Sequence, residues 1–358
     1  RIVVSASAGD VDLDGDLDLL LGRWGCGGAC EHLYRNDGHG HFQGVGRAAG
    51  ADGFGHQFNN HFDFTFAPFF LDLDGDRYPE LLLGGDFKGA GYIGSRYFRN
   101  NRNGTFTDAT VASKTGAEEN GMGQTIGDFD NDGAIDWYVT SIYFPPAWTG
   151  NKLYRNLGGG IFLERGAAAG VHQGGYGWGA LGVDVNHDGW EDIVETNGDA
   201  APGSSFYDDP SSLWINNGDG TFTDQATESG FVYSIKGRAL LRLDADNDGD
   251  QDLVICRNNG ALTYFRNDLP AGPMAHWLRI RLSRGASTAV APDGIGARIA
   301  ARSAIAGTTT TRTRLIDAGV GYAGTSELSA HFGLGAASVV DELTITWPDG
   351  TVQTLANV

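Results

Sequence analysis

Five short stretches of the chain place acidic side chains at one repeated spacing. They are Asp10-Val-Asp12-Leu-Asp14-Gly-Asp16-Leu-Asp18, Asp72-Leu-Asp74-Gly-Asp76-Arg-Tyr78-Pro-Glu80 and Asp128-Phe-Asp130-Asn-Asp132-Gly-Ala134-Ile-Asp136. The last two are Asp184-Val-Asn186-His-Asp188-Gly-Trp190-Glu-Asp192 and Asp244-Ala-Asp246-Asn-Asp248-Gly-Asp250-Gln-Asp252. Side-chain oxygens at positions 1, 3, 5 and 9 of a tight loop suit a hard cation that takes six to eight oxygen ligands. The position-7 carbonyl of Asp16, Tyr78, Ala134, Trp190 or Asp250 offers one more. Calcium fits better than magnesium, which would have to give up its waters to enter such an all-protein cage. Glycine at position 6, or at position 4 in the second loop, lets the backbone wrap the ion.

Of the twenty side-chain positions, nineteen are carboxylates and Asn186 is the exception. Acids packed this closely repel one another strongly without a cation. The expectation is therefore about five Ca²⁺ ions, which would halve the formal charge of −20. An EF-hand is excluded, because it needs a Glu at position 12 and helices on both sides. Position 12 is Leu21, Leu83, Val139, Glu195 and Ile255, so only the fourth loop complies.

The elements that must position these loops repeat with them. Each loop runs into an apolar segment such as Leu19-Leu-Leu or Leu253-Val-Ile. A second shared element follows: Leu33-Tyr-Arg-Asn, Tyr97-Phe-Arg-Asn, Leu153-Tyr-Arg-Asn, Leu213-Trp-Ile-Asn and Tyr264-Phe-Arg-Asn. In four repeats a Phe comes next, at 42, 106, 162 and 222. An aromatic strand, an Asn/Gly turn and a second aromatic strand make a hairpin signature. Each period thus predicts four short antiparallel strands, the content of one propeller blade. The fold expectation is all-β: a β-propeller of five four-stranded blades over residues 1–269. The alternative is a larger or incompletely closed ring, because the last repeat lacks the fourth-strand Phe. Residues 270–358 alternate apolar and polar positions between glycines and predict a small antiparallel β-sandwich or barrel.

Composition agrees. The 45 Asp+Glu against 25 Lys+Arg argue against nucleic acid and against anionic membrane surfaces. Apolar residues at 41% argue against disorder, and 56 glycines fit many tight turns. There is no apolar run long enough to span a membrane. The chain starts at Arg1 rather than Met, which predicts a mature or trimmed form. Cys26 and Cys30 are close enough for a small disulfide, and Cys256 follows an apolar strand as a buried thiol.

Tandem Asp-x-Asp-x-Asp-Gly-x-x-Asp loops between strands resemble the FG-GAP/VCBS calcium-binding propeller repeats. The segments Gly294-Ile-Gly-Ala-Arg-Ile, Gly319-Val-Gly-Tyr-Ala-Gly, His331-Phe-Gly-Leu-Gly and Trp347-Pro-Asp-Gly-Thr-Val-Gln resemble the ASPIC/UnbV domain. Together they resemble secreted bacterial proteins of the cartilage-acidic-protein type. The resemblance implies calcium binding, an extracellular or cell-surface setting, adhesion or scaffolding, and no established catalytic activity.

No nucleophile elbow, zinc-protease helix or phosphate loop is present in the sequence. The expectation is a non-enzymatic recognition protein whose aromatic loops, at Tyr143, Trp148, Phe206 and Tyr207, meet a protein or glycan partner. The alternative is a structural subunit that self-assembles into a surface filament or layer.

Overall fold

The computed structural model describes residues 2–27, 32–51, 62–87, 94–234, 236–270, 272, 276–305, 307–319 and 321–358. Within these the protein is almost entirely β, with two one-turn helices at Thr110–Ser113 and Gly166–Ala169.

Four repeats have the expected order of four antiparallel strands, and the first two are joined edge to edge into one eight-stranded sheet where Trp24–Gly27 pairs with Phe62–Phe64. The first contains Ile2–Gly9, Asp18–Gly27, Leu33–Asn36 and Phe42–Gly44. The second contains Phe62–Leu71, Glu80–Gly85, Arg96–Asn100 and Phe106–Asp108. The third contains Gln124–Gly127, Asp136–Val139, Lys152–Asn156 and Phe162–Glu164. The fourth contains Gly177–Val183, Asp192–Asn197, Ser212–Asn216 and Phe222–Asp224. The fifth sheet departs from the expectation of four strands: only Gly237–Leu243, Asp252–Arg257 and Thr263–Phe265 pair. Where the other repeats carry an Asn/Gly turn, this one reads Asn267-Asp-Leu-Pro270. Proline has no N–H to donate to a ladder, and the segment lacks the glycine such a turn uses.

Successive sheets meet face to face, and the repeated aromatics fill the seams. Phe106 is buried with Val11, Leu20, Phe70 and Leu81 of the first and second sheets. Phe162 packs with Phe69, Leu82, Trp137 and Tyr154 between the second and third. Phe222 lies with Phe129, Tyr138 and Leu153 between the third and fourth. At the outer ends of the row, aromatic side chains of the last strands lose their cover. Phe42 of the first sheet is 45% exposed and Tyr264 of the fifth is 47% exposed.

The C-terminal segment builds its own core around Ile299, Phe332, Val340 and Leu343. Its main sheet runs Thr308–Leu315, Arg298–Ile305, Glu342–Thr346, Val352–Ala356, so the threonine run at 308–311 is a strand. A second pair joins His276–Ile280 to Ala330–Gly335. The stretch from Asp317 to Glu327 reaches back among the first strands of the row. Ala318 bridges Ala8, Tyr322 packs on Phe66 and Trp178, and Glu327 N–H donates to the Arg242 carbonyl. This stretch therefore touches strands of the first, second, fourth and fifth sheets.

Candidate metal centres

Every acidic loop joins the first two strands of its sheet, so all five lie on one face. Two backbone positions in each loop are left-handed. Position 4 has φ of 60° at Leu13, 52° at Asn131 and 61° at Asn247, and position 6 has φ of 93° at Gly15, 90° at Gly133 and 97° at Gly249. The second loop exchanges the usual residues: Gly75 stands at position 4 and Arg77 adopts φ 81° at position 6. A non-glycine residue there carries local strain, so the loop path is imposed by more than glycine.

The position-1 acid accepts N–H groups from within its loop, as in Gly15 to Asp10 (2.9 Å), Gly133 to Asp128 (3.1 Å) and Gly249 to Asp244 (3.1 Å). The position-9 acid is held by its own Oδ1 and Oδ2. Asp18 accepts from Val11 N–H at 3.0 Å and from Asn36 N–H at 2.8 Å, and Asp252 accepts from Ala245 at 3.1 Å and Asn267 at 2.8 Å. Asp192 repeats this with Val185 and Asn216.

These bonds explain the Arg-Asn pair that sequence reading found without a role. The Asn side chains staple neighbouring loops together. Asn156 Nδ2 donates to Ile135 O of its own loop and to Leu73 O of the loop before it, both at 3.0 Å. Asn216 does the same with Glu191 O and Phe129 O, and Asn100 with Pro79 O and Val11 O. The Arg meets the loop carboxylates: Arg35 pairs with Asp12 and Asp14, Arg155 with Asp130 and Asp132, and Arg266 with Asp246. In the fourth repeat Ile215 replaces the Arg, and Asn186 replaces an acid in the same loop.

Four loops bring three carboxylates within 4.8 Å of one another: Asp10, Asp12 and Asp18; Asp72, Asp74 and Glu80; Asp128, Asp130 and Asp132; Asp244, Asp246 and Asp248. In the fourth loop Asp188 is tied to Asn186 at 3.0 Å, and Asp184 accepts Gly189 N–H at 2.9 Å and Gly333 N–H at 3.1 Å. Buried oxygens of Asp12, Glu80, Asp184 and Asp244 have no hydrogen-bond partner among the described residues. Burial lifts Asp18 to about 6 and Asp128 and Asp184 to about 7, and it holds Glu80, Asp136 and Asp192 well above the carboxylate range. Buried carboxylates with orphaned oxygens need a counter-charge, and a hard divalent cation supplies both charge and ligation. The residues fit calcium.

The C-terminal segment covers part of this face. Thr313 N–H donates to Asp128 Oδ2 (3.1 Å), Arg279 to Asp244 Oδ2 (2.8 Å) and Arg312 Nε to Gly189 O (3.0 Å). Arg314 pairs with Glu191 at 3.3 Å, both side chains buried. Sequence reading missed these arginines, because their strand pattern is that of any half-buried strand.

On the opposite face, Trp148 and Phe206 join a cluster around Phe66, Met122 and Ile142, with Trp24, Tyr176, Trp178 and Tyr322 packed against it. Phe206 stacks edge-on against Tyr176 (5.5 Å) and Phe144 (6.0 Å), and Phe144 is exposed. Tyr143 and Tyr207 stand apart from that cluster. Tyr143 packs edge-on against His172, and Lys236 sits over the Tyr207 ring at 3.3 Å. The expected Cys26–Cys30 disulfide lies outside the described residues, and Cys256 is half-buried.

Residues 72–139 match the FG-GAP-like repeat family and residues 287–358 match the family described as ASPIC and UnbV. Cartilage acidic protein 1 of Xenopus tropicalis is 27% identical over 72% of this chain and 38% of its own length. The Homo sapiens protein of that name is 26% identical over 68% of this chain and 42% of its own. This chain thus spans about two fifths of the length of these relatives. The solved V. cholerae biofilm matrix protein Bap1 aligns with all of this chain and 59% of its own, at 13% identity and a TM-score of 0.36. With its five-fold acidic loops on one side and its own β core on the other, the chain pairs FG-GAP-like repeats with a C-terminal ASPIC and UnbV segment.

Proposed function

We propose that this is an extracellular, non-enzymatic recognition protein: an open five-sheet propeller held rigid by calcium, with residues 270–358 as its cap. The observation that carries the reading is the convergence of three carboxylates in each of four loops, at least one of them buried in each, with oxygens on Asp12, Glu80 and Asp244 that have no partner among the described residues. Calcium at these loops, and at the fourth where Asn186 lowers the acid count, ties the first and second strands of each sheet. The Asn staples then pass that order from one loop to the next. No step here is chemical: the ion supplies charge and geometry.

The rigid frame presents the opposite face to a protein or glycan partner. Phe144 and the half-buried Trp148, Phe206 and Tyr176 offer flat apolar surface there, with Asp209 and Glu119 close by. Aromatic rings beside hydrogen-bonding groups suit sugar rings or an apolar peptide side chain. An extracellular setting agrees with the relatives named above, and no helix among the described residues is long and apolar enough to cross a membrane.

The test is a glycan array and a panel of extracellular proteins probed with the protein in calcium and again in chelator. The reading expects calcium-dependent binding that Trp148→Ala weakens. Binding that ignores Trp148, or none on any surface, would count against it.

A further inference from the structure

The fifth sheet carries a second docking feature, unrelated to the aromatic face. In the second, third and fourth sheets the outermost strand inserts a Phe into the seam with the preceding sheet. The fifth sheet has no such strand among the described residues. The seam where its Phe would sit, between the fourth and fifth sheets, holds a cavity of about 400 Å³. It is open to solvent on one side, with Leu213, Ile215, Phe231, Leu253 and Phe265 forming its apolar wall and Asn186, Gln225, Ser229, Arg266 and Asn267 its polar rim. A volume of roughly 150 Å³ already takes a benzene ring, so by size alone this groove has room for a phenyl ring and its backbone.

Beside the groove the strand Thr263–Phe265 pairs only with Asp252–Arg257 among the described residues. No described strand pairs with its other edge, which is a template for strand addition. Leu262 is 68% exposed and Tyr264 is 47% exposed at that edge. The chain itself is led away: Leu269 N–H is held by Asp250 Oδ2 at 2.6 Å, and the next strand, His276–Ile280, pairs with the C-terminal segment.

We propose that this edge accepts, in trans, an extended segment of a partner protein with the pattern Phe-Thr-Asp. The molecule states that preference itself, because its own outer strands read Phe106-Thr-Asp108, Phe162-Leu-Glu164 and Phe222-Thr-Asp224. The register follows from the fourth sheet, where Trp214, Ile215 and Asn216 face Asp224, Thr223 and Phe222. In the fifth sheet the incoming acid faces Phe265, the Thr faces Arg266, and the Phe faces Asn267 and enters the cavity. The segment adds antiparallel, its backbone supplies the affinity, and the Phe supplies the selectivity. The proposal rests on the recognition reading only for the existence of a partner, and its failure would leave the calcium sites untouched.

The experiment uses the full chain in calcium and a fluorescein-labelled peptide copied from residues 218–226. Fluorescence anisotropy should show saturable binding, and the Phe222→Ala peptide should bind at least about tenfold more weakly. Hydrogen exchange should show new protection at Thr263–Arg266 when the peptide binds. Ile215→Trp, which fills the cavity from its rim, should abolish binding. If that variant fails to fold, the peptide pair and the exchange map still decide. Equal affinity of the two peptides, protection elsewhere, or no binding would overturn the proposal. So would sedimentation showing a dimer of the parent chain that Tyr264→Ala makes monomeric, since that makes the occupant a second copy of this chain.

Discussion

At the residue scale, the acids of each loop differ in how far their oxygens are committed to backbone N–H groups. The position-9 acids spend both oxygens on N–H groups in the first, fourth and fifth loops, so they fix the loop shape. Positions 1, 3 and 5 converge in the third and fifth loops, whereas positions 1, 3 and 9 converge in the first and second, where Asp12 and Glu80 each keep an oxygen without a partner among the described residues. Asp130→Ala should therefore lower the calcium stoichiometry by one. It should cut the melting temperature in calcium while changing little in chelator, a difference that calorimetry with and without chelator reads directly. A second buried acid is independent of the loops. Glu195 accepts hydrogen bonds from Tyr138 (2.6 Å) and Asn151 (2.7 Å), and burial pushes it up to about 8 from 4.5. The unfolded chain releases that proton above about 4.5 and the folded chain holds it to about 8, so Glu195 supports the fold most at low pH and loses ground as pH rises through that window. Glu195→Gln has no proton to lose. Its stability relative to the parent should climb between pH 5 and pH 8 in urea unfolding, and a constant difference would refute the assignment.

At the element scale, the repeated Asn is the joint between sheets. Asn156 bonds carbonyls of two loops, whereas Asn36 reaches only Leu17 O because no described sheet precedes its own. Asn156→Ala should cost about 1–3 kcal/mol, since it leaves buried carbonyls unpaired, and Asn36→Ala distinctly less. Equal costs in chemical denaturation would show that the bridging bond adds nothing. The periodic part of this scheme was legible in the sequence. Loop spacing, the strand that follows and the aromatic hairpin recur at fixed offsets, and one repeat predicts the next. The Arg-Asn motif was visible as a motif, but its meaning depends on a carbonyl some eighty residues away, which no local pattern reports. The aromatic loops were found as well, yet only Trp148 and Phe206 share a cluster. Whether Tyr143 and Tyr207 point to the same patch is decided by His172 and Lys236, on separate segments.

At the scale of the whole molecule, the row of five sheets leaves Phe42 and Tyr264 uncovered at its ends, and the C-terminal segment ties the row together. Residues 270–358 carry seven arginines and six acids, so they are nearly neutral beside a strongly acidic row. Four of those arginines, at 279, 298, 312 and 314, contact the loop face. Arg314→Ala would leave Glu191 buried without its partner, at a cost on the order of 3–5 kcal/mol. Limited proteolysis should cut the C-terminal segment of that variant first. Cleavage spread evenly over the chain would mean that Arg314 does not hold the cap. The central claim remains calcium. Binding to the folded state alone stabilises by mass action, about 2.7 kcal/mol per site at a hundredfold excess over Kd. The most direct measurement is differential scanning calorimetry of the full chain in excess calcium and in excess chelator. The melting temperature should be many degrees higher in calcium and should fall stepwise as single loops are disabled. Superimposable melts in the two buffers would contradict it.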